Sequence, residues 1–404
     1  MVQWTPVPVE ISCYPRGFRA AGITCGLKQS GRPDLALIVS DTLAQSAAMF
    51  TQNRFSAAPV TVSRRHGQAG ARAIIASSGS ANACTGERGE RDALAMCEAT
   101  ARAIGAAANE VFVCSTGVIG VPLPVEKLEW GIPRAAEALS PTGWEDAAEA
   151  IRTTDAFRKM AGGHWSVGDR DVRLIGMAKG AGMIHPNMAT MFAFLATDAR
   201  VEPALLKTVL QSAVRDSFNS ISVDGDTSTN DTVILLANGQ AGNAPIAPAT
   251  EACEQLEAAV GQVCGELARM MVRDGEGATK LVTLKIRGAR SDDEARQAAR
   301  TVANSILVKM AFLGEDANWG RIVAALGNAG VEVRPAACSV GFDGIHVLDR
   351  GQLVAADQGN LAALLKKPEF TVALDLGTGG SGQAAFWTCD ISDEYVRFNA
   401  HYRT

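Results

Sequence analysis

The apolar segments of this chain come in two lengths that do not alternate one for one, and this limits its fold more than anything else in the sequence. Short strand-like runs are Leu35–Ser40, Ala73–Ser77, Glu110–Cys114, Val172–Ala178, Thr190–Ala196, Thr232–Ala237, Lys280–Ile286, Gly341–Leu348 and Thr371–Asp375. Helical spacing is clearest in five places. Leu94, Cys97, Ala101 and Ile104 form a stripe between Asp92 and Gly105. An Ala/Glu-rich stretch runs from Trp144 to Thr153. A third helix opens at Pro203 with Leu206, Leu210 and Ala213 on one face. A fourth spans Glu251–Met271, and the fifth follows the capping-box spacing Ser291-Asp-Asp-Glu294. A Rossmann sheet needs strand and helix in turn, with a G-x-G-x-x-G between them, and neither is present. Mixed sheets covered by helices are expected.

Length adds a bound: 404 residues make two or three compact units. A boundary is expected near residue 280, where a long helix gives way to a strand and another long helix, giving units 1–280 and 281–404. Ala241–Thr250 reads as an exposed Pro/Ala connection. Forty glycines lie scattered between the apolar runs, which points to many tight turns and close backbone approaches rather than a linker. Hydrophobic residues at 47% against charged residues at 20% exclude wholesale disorder. A net charge of −5 leaves no basic excess to collect phosphates, so nucleic acid is not an expected partner. No apolar run approaches the roughly 20 residues of a membrane span. No basic-then-apolar leader opens the chain, and the cytoplasm is the expected location. Nine cysteines, an odd number without a C-x-x-C pair, read as reduced, mostly buried thiols rather than a disulfide framework or zinc site.

The stretch Lys179-Gly-Ala-Gly-Met-Ile-His-Pro-Asn-Met-Ala-Thr190 carries the most chemistry. Glycines, a proline and an asparagine make a sharp crossing between two strand-like runs. A threonine opening a strand is ordinary β-branched material. If the Ala189–Thr190 bond is cut, however, Thr190 acquires a free α-amine beside its own hydroxyl. Such an amine has a reference pKa of about 7.7–8.0, so one residue supplies both nucleophile and base. Two nearby features mislead. Asp224-Gly-Asp-Thr-Ser-Thr-Asn-Asp231 begins like a calcium loop, but Thr229 and Leu235 stand where glycine and glutamate are required, so no metal is expected. Its polar side chains read as bracing a turn through local hydrogen bonds. His185 reads as a structural residue beside Pro186 rather than as a base.

The segment resembles the signature of the ornithine acetyltransferase (glutamate N-acetyltransferase) family. Further blocks match in order: Gly17-Phe-Arg-Ala-Ala-Gly22, Ser78-Gly-Ser-Ala-Asn-Ala-Cys-Thr-Gly86, Ser115-Thr-Gly-Val-Ile-Gly120, Thr153-Thr-Asp155, Val223–Asp231, Gly314-Glu-Asp-Ala-Asn-Trp-Gly-Arg321 and Phe398-Asn-Ala-His-Tyr-Arg-Thr404. The resemblance covers essentially the whole chain. It implies an α/β fold, a four-layer α/β/β/α sandwich with a smaller C-terminal α/β domain. It also implies self-cleavage at Ala189–Thr190, giving an alpha chain of 1–189 and a beta chain of 190–404 in a heterotetramer of two alpha and two beta.

The same resemblance implies that Thr190 takes acetyl from N-acetylornithine and passes it to glutamate in arginine biosynthesis. It implies Thr116 and Gly117 as the oxyanion hole. Thr153, Lys179, Thr190, Glu276, Asn399 and Thr404 would contact substrate, with Thr154 the alternative to Thr153. Lys179 suits a substrate carboxylate, and Glu276 a substrate ammonium. No cofactor is implied, although acetyl-CoA remains open as a donor. The family usually shows asparagine where this chain has Ser77 and Ser80, which bears on substrate preference. Two other readings stay open on the sequence: a self-cleaving amidase or aminopeptidase of the same fold, and a catalytically silent binding protein.

Overall fold

The structure, a computed structural model, describes residues 9–185 and 191–401. The strands of the first part are β1 (Phe18–Ile23), β2 (Leu35–Phe50), β3 (Ala71–Ser80), β4 (Val111–Val118), β5 (Lys159–Val167), β6 (Arg170–Lys179), β7 (Phe192–Thr197), β8 (Ile221–Ser222) and β9 (Thr232–Ala237). Its helices are α1 (Ala58–Arg65), α2 (Gly86–Ile104), α3 (Val125–Glu137), α4 (Trp144–Ala150), α5 (Pro203–Arg215) and α6 (Glu251–Arg273). Among the described residues one sheet runs β4-β3-β2-β9-β7-β6-β5, with β1 alongside β2.

The 16-residue β2 explains how one hydrogen-bonded sheet makes two layers. Its first half pairs antiparallel with β3, and its second half, 45–50, pairs antiparallel with β9. The ladder breaks between Val39 and Ala44, where Asp41, Thr42 and Leu43 face solvent, so the strand leaves one leaf and enters the other. Successive side chains of a strand point to opposite faces, and the cores follow that rule. Ile38, Ile74 and Phe112 of one leaf meet Met177, Phe194 and Ile234 of the other in the central core. Their neighbours Leu37, Ile75 and Val113 turn outward to Val62 of α1, Met96 of α2 and Ile132 of α3. On the far side Leu174, Leu195 and Leu235 pack on Leu206 of α5 and Leu256, Val260 and Leu267 of α6. Helix, leaf, leaf and helix make the four layers of an α/β/β/α sandwich.

The second part contains β10 (Leu281–Ala289), β11 (Ser339–Phe342), β12 (Ile345–Asp349), β13 (Gln352–Leu353), β14 (Glu369–Asp375) and β15 (Gly382–Cys389). With them come α7 (Asp292–Ala303), α8 (Ile306–Leu313), α9 (Trp319–Gly327), α10 (Gln358–Leu365) and α11 (Asp393–His401). The second sheet runs β13-β12-β11-β14-β10-β15-β8, so the short β8 joins it from earlier in the chain. Val282, Leu284 and Ile286 of β10 bury against Ala295, Ala298 and Val302 of α7.

Several local readings need correction. Gly341–Leu348 is not one strand but the β11–β12 hairpin. Asp343 and Gly344 turn the chain at φ 42° and 87°, the positive pair that Asp-Gly accommodates at a tight turn. Ser291 caps α7 by accepting from the Glu294 N–H at 3.2 Å, but the Glu294 carboxylate completes no capping box. It takes the Arg290 guanidinium instead. Ala241–Thr250 is only partly exposed, because Ile246 is buried and bridges to Val201. Eight of the nine cysteines are buried, and Cys84 is exposed. Among the described residues, no helix is long and apolar enough to cross a membrane, and no cluster of His, Cys, Asp and Glu gathers as for a metal ion.

Candidate active site

One pocket opens where β4, β6, the loop after α4, the loop after α6 and α11 come together. Thr116, Gly117, Thr153, Lys179, Glu276 and Asn399 all line it, and so does Thr154. Thr190 and Ala189, and Thr404 at the other end, lie outside the described residues.

β3 and β4 run parallel and stay in register to Ser78↔Thr116 and Gly79↔Gly117. Gly117 has φ 133°, a backbone conformation that side-chain-bearing residues rarely adopt. A Cβ there would stand 2.4 Å from the Gly79 carbonyl carbon. Two backbones therefore approach at this turn as only glycine permits. The Ser77 hydroxyl donates to Ser115 Oγ at 2.9 Å, and Ser80 Oγ donates to the Val121 carbonyl at 2.8 Å. The two serines thus brace the strand ends beneath the turn and do not line the pocket.

Lys179 ends β6 and is 2% exposed, and its ammonium reaches Thr116 Oγ1 at 3.4 Å. Burial lowers its pKa, opposed chiefly by Asp155. Asp155 is the hub beneath the pocket. Its carboxylate accepts from Lys159 at 2.6 Å, from the Gly180 N–H at 2.7 Å and from the Thr153 N–H at 3.0 Å, the last fixing one wall. Burial pushes this acid up, but the Lys159 and Lys179 charges and the Gly180 N–H prevail and hold it below the usual carboxylate range. Lys159 also bonds Asp274, whose carboxyl burial pushes up to about 6 against that lysine.

Lys159→Met would leave two carboxyl groups buried without their shared cation. Its expected cost is about 3–5 kcal/mol of stability, measured by urea unfolding near neutral pH. An unchanged midpoint would remove the triad from the site's foundations.

Glu276 enters from the turn after α6, its N–H bonded to the Ala181 carbonyl at 2.9 Å. Gly182 makes room for its carboxylate, since a Cβ there would lie 2.5 Å from Oε2. Asn399 of α11 donates to that same oxygen at 3.0 Å. The pocket thus sets a buried ammonium and a carboxylate at different points of one wall, a pattern that suits a small zwitterion.

The residues that sequence reasoning missed belong to Asp224–Asp231. Ser228, Thr229 and Asn230 line the pocket. The segment braces other chain segments more than itself. Asp224 accepts from the N–H groups of Met183 at 2.6 Å and Ile184 at 2.9 Å, and Asp231 accepts from Met191 N–H at 2.9 Å. The signal was present as a cluster of short polar side chains, but local spacing cannot show partners about forty residues away. His185 faces the second sheet's helices, where its Nδ1 accepts from Asn304 Nδ2 at 3.2 Å. Burial lowers its pKa, and it lies off the pocket wall.

The layered sandwich and its charged pocket define an α/β/β/α enzyme acting on small molecules. The model of the ArgJ family matches residues 19–404, and the chain belongs to that family. The arginine biosynthesis bifunctional protein ArgJ of Geobacter sulfurreducens is 46% identical, over 96% of this chain and 99% of that protein. That of Synechococcus is 47% identical, over 96% of each. The crystal structure of the arginine biosynthesis bifunctional protein from Bacillus halodurans superposes with a TM-score of 0.50 at 36% identity, covering 52% of this chain and 98% of that one.

Proposed function

We propose that this chain is a self-processing N-acetyltransferase of arginine biosynthesis. It moves the acetyl group of N2-acetyl-L-ornithine to L-glutamate through an acetyl ester on Thr190. The observation that carries the reading is convergence. Of the residues assigned to substrate or oxyanion by family likeness, all those that the structure describes, Thr116, Gly117, Thr153, Lys179, Glu276 and Asn399, line a single pocket. The naming of its relatives as arginine biosynthesis proteins agrees with it.

The chemistry runs in two halves. First the Thr190 hydroxyl adds to the Ala189 carbonyl and the carbon–nitrogen bond breaks in an N→O acyl shift; water then hydrolyses the ester, leaving chain 1–189 with a new carboxylate and chain 190–404 with a free α-amine. The freed α-amine then takes the proton of the Thr190 hydroxyl as its oxygen adds to the acetyl carbonyl. Thr116 and Gly117 receive the oxyanion, the carbon–nitrogen bond breaks, and ornithine leaves with the proton on its nitrogen. Glutamate's neutral amine attacks the ester by the reverse path and restores the hydroxyl. Lys179 holds a substrate carboxylate and Glu276 a substrate ammonium. Thr153, Asn399 and Thr404 complete the contacts.

Residues 1–280 form the catalytic unit in this reading, and 281–404 supply the final wall through Asn399. Two alpha and two beta chains assemble in the cytoplasm. The reaction uses no cofactor.

The test is incubation with N-acetylornithine, with and without glutamate, alongside an intact-mass measurement. Two fragments and ornithine release that depends on glutamate are expected. Release that ignores glutamate would mean a hydrolase, and one uncut inactive chain a silent binding protein.

A further inference from the structure

We propose that Asn230 is a positioning residue that fixes the oxyanion hole relative to β7, the strand that follows the nucleophile in the chain. The inference rests on the assignment of Thr116 and Gly117 made above. Asn230 is 4% exposed and sits at the pocket wall. Its Nδ2 donates to the Ala81 carbonyl at 2.6 Å and to the Ser115 carbonyl at 2.7 Å, while its Oδ1 accepts from the Thr229 hydroxyl. Of the two ends of this amide only the NH2 can face two carbonyls, so the chemistry of its neighbours dictates which way the side chain is turned.

The Ser115 carbonyl and the Thr116 N–H belong to one rigid peptide plane. Holding the oxygen therefore sets the direction in which the chain enters the Thr116–Gly117 turn. The Ala81 carbonyl lies on the neighbouring strand end, where the Ala81 N–H in turn donates to Val118 at 2.9 Å. Asn230 thus ties together the ends of β3 and β4, on either side of the glycine contact.

The next residue faces the other way. Asp231 accepts from the Met191 N–H through Oδ1, and Thr232 then pairs with Phe192 in the parallel β9–β7 ladder. Met191 is bonded covalently to Thr190. Asp231 is fully buried, and its second oxygen finds no hydrogen-bond partner among the described residues. Burial holds its carboxyl well above the usual range. Two consecutive side chains therefore span from the turn that would hold the oxyanion to the residue after the one that would attack.

The test is Asn230→Asp, which keeps the shape but turns a carboxylate toward two carbonyls. The kcat for transfer is expected to fall about 10²-fold, with KM for N-acetylornithine held within about 3-fold. A protonated carboxyl can donate once, so the variant-to-wild-type ratio of kcat is expected to rise as pH falls from about 8 to about 6. The charged groups around the turn are Lys179, Asp155, Asp231 and Glu276, and a new carboxyl beside them couples to their titration, so Asn230→Ser, which adds none, supplies the reference ratio. Asn230→Ser, a smaller donor without a titrating group, is expected to lose kcat without the acid recovery, and it serves if Asn230→Asp does not fold.

Wild-type kcat in either variant, a loss confined to KM, or a flat ratio across pH for Asn230→Asp would overturn the proposal. Gly117→Ala, whose added methyl would force the turn itself to move, is measured in parallel and separates the two layers of argument. If it too turns over at full speed, the oxyanion assignment has failed. If it is slow while the Asn230 variants are not, the positioning role alone has failed.

Discussion

Thr190→Ala is expected to give a single uncut 42.3 kDa chain with no measurable acetyl transfer, and the unaltered protein two fragments of roughly equal size on a denaturing gel. Both losses have one cause. The hydroxyl that would add to the Ala189 carbonyl is the same one that would later carry the acetyl group, and alanine has no oxygen to offer. Removing a nucleophile of this kind costs on the order of 10⁴- to 10⁶-fold in kcat. Thr190→Ser, which keeps a hydroxyl, is expected to retain both reactions at reduced rates. A Thr190→Ala chain that still splits and still transfers acetyl would refute the nucleophile assignment.

Gly117→Ala is expected to be the next most severe change. The added methyl would meet the Gly79 carbonyl carbon at 2.4 Å, its oxygen at 2.6 Å and Ser80 N at 2.7 Å. All three are backbone atoms, so no side chain can swing away. The φ of 133° adds strain of about 1–3 kcal/mol for any residue with a Cβ. The turn must therefore shift, and the donors around it shift too. A loss of about 10²–10³-fold in kcat is expected, with a smaller effect on KM. Steady-state kinetics with N-acetylornithine and glutamate decide it, and full activity would show that the oxyanion is held elsewhere.

How far the fold was legible depended on whether a segment's signal was local. The stripe of Leu94, Cys97, Ala101 and Ile104 became α2, closed by Gly105 in the left-handed conformation that such helix ends favour. Pro203 does open α5. By contrast β5, Lys159–Val167, has alternating exposure and two internal glycines, so it offers no apolar run to find. Helix α8, Ile306–Leu313, is apolar nearly all round, and Ile306, Leu307 and Met310 are exposed, so no stripe marks its buried face.

The candidate site followed the same division. Motif blocks led to Thr116, Lys179 and Glu276, but Asn230 works through carbonyls of Ala81 and Ser115, more than a hundred residues earlier in the chain. Nothing in its neighbourhood in the sequence marks those partners.

The strand order β4-β3-β2-β9-β7-β6-β5 has a consequence for any break between β6 and β7. The later piece would own β7 and β9, which lie wedged between β2 and β6 of the earlier piece. Neither fragment could then leave without tearing open backbone ladders on both of its flanks. The halves would copurify until denatured. Halves made separately would have to build the sheet together, strand between strand, because neither encodes a finished surface onto which the other could dock.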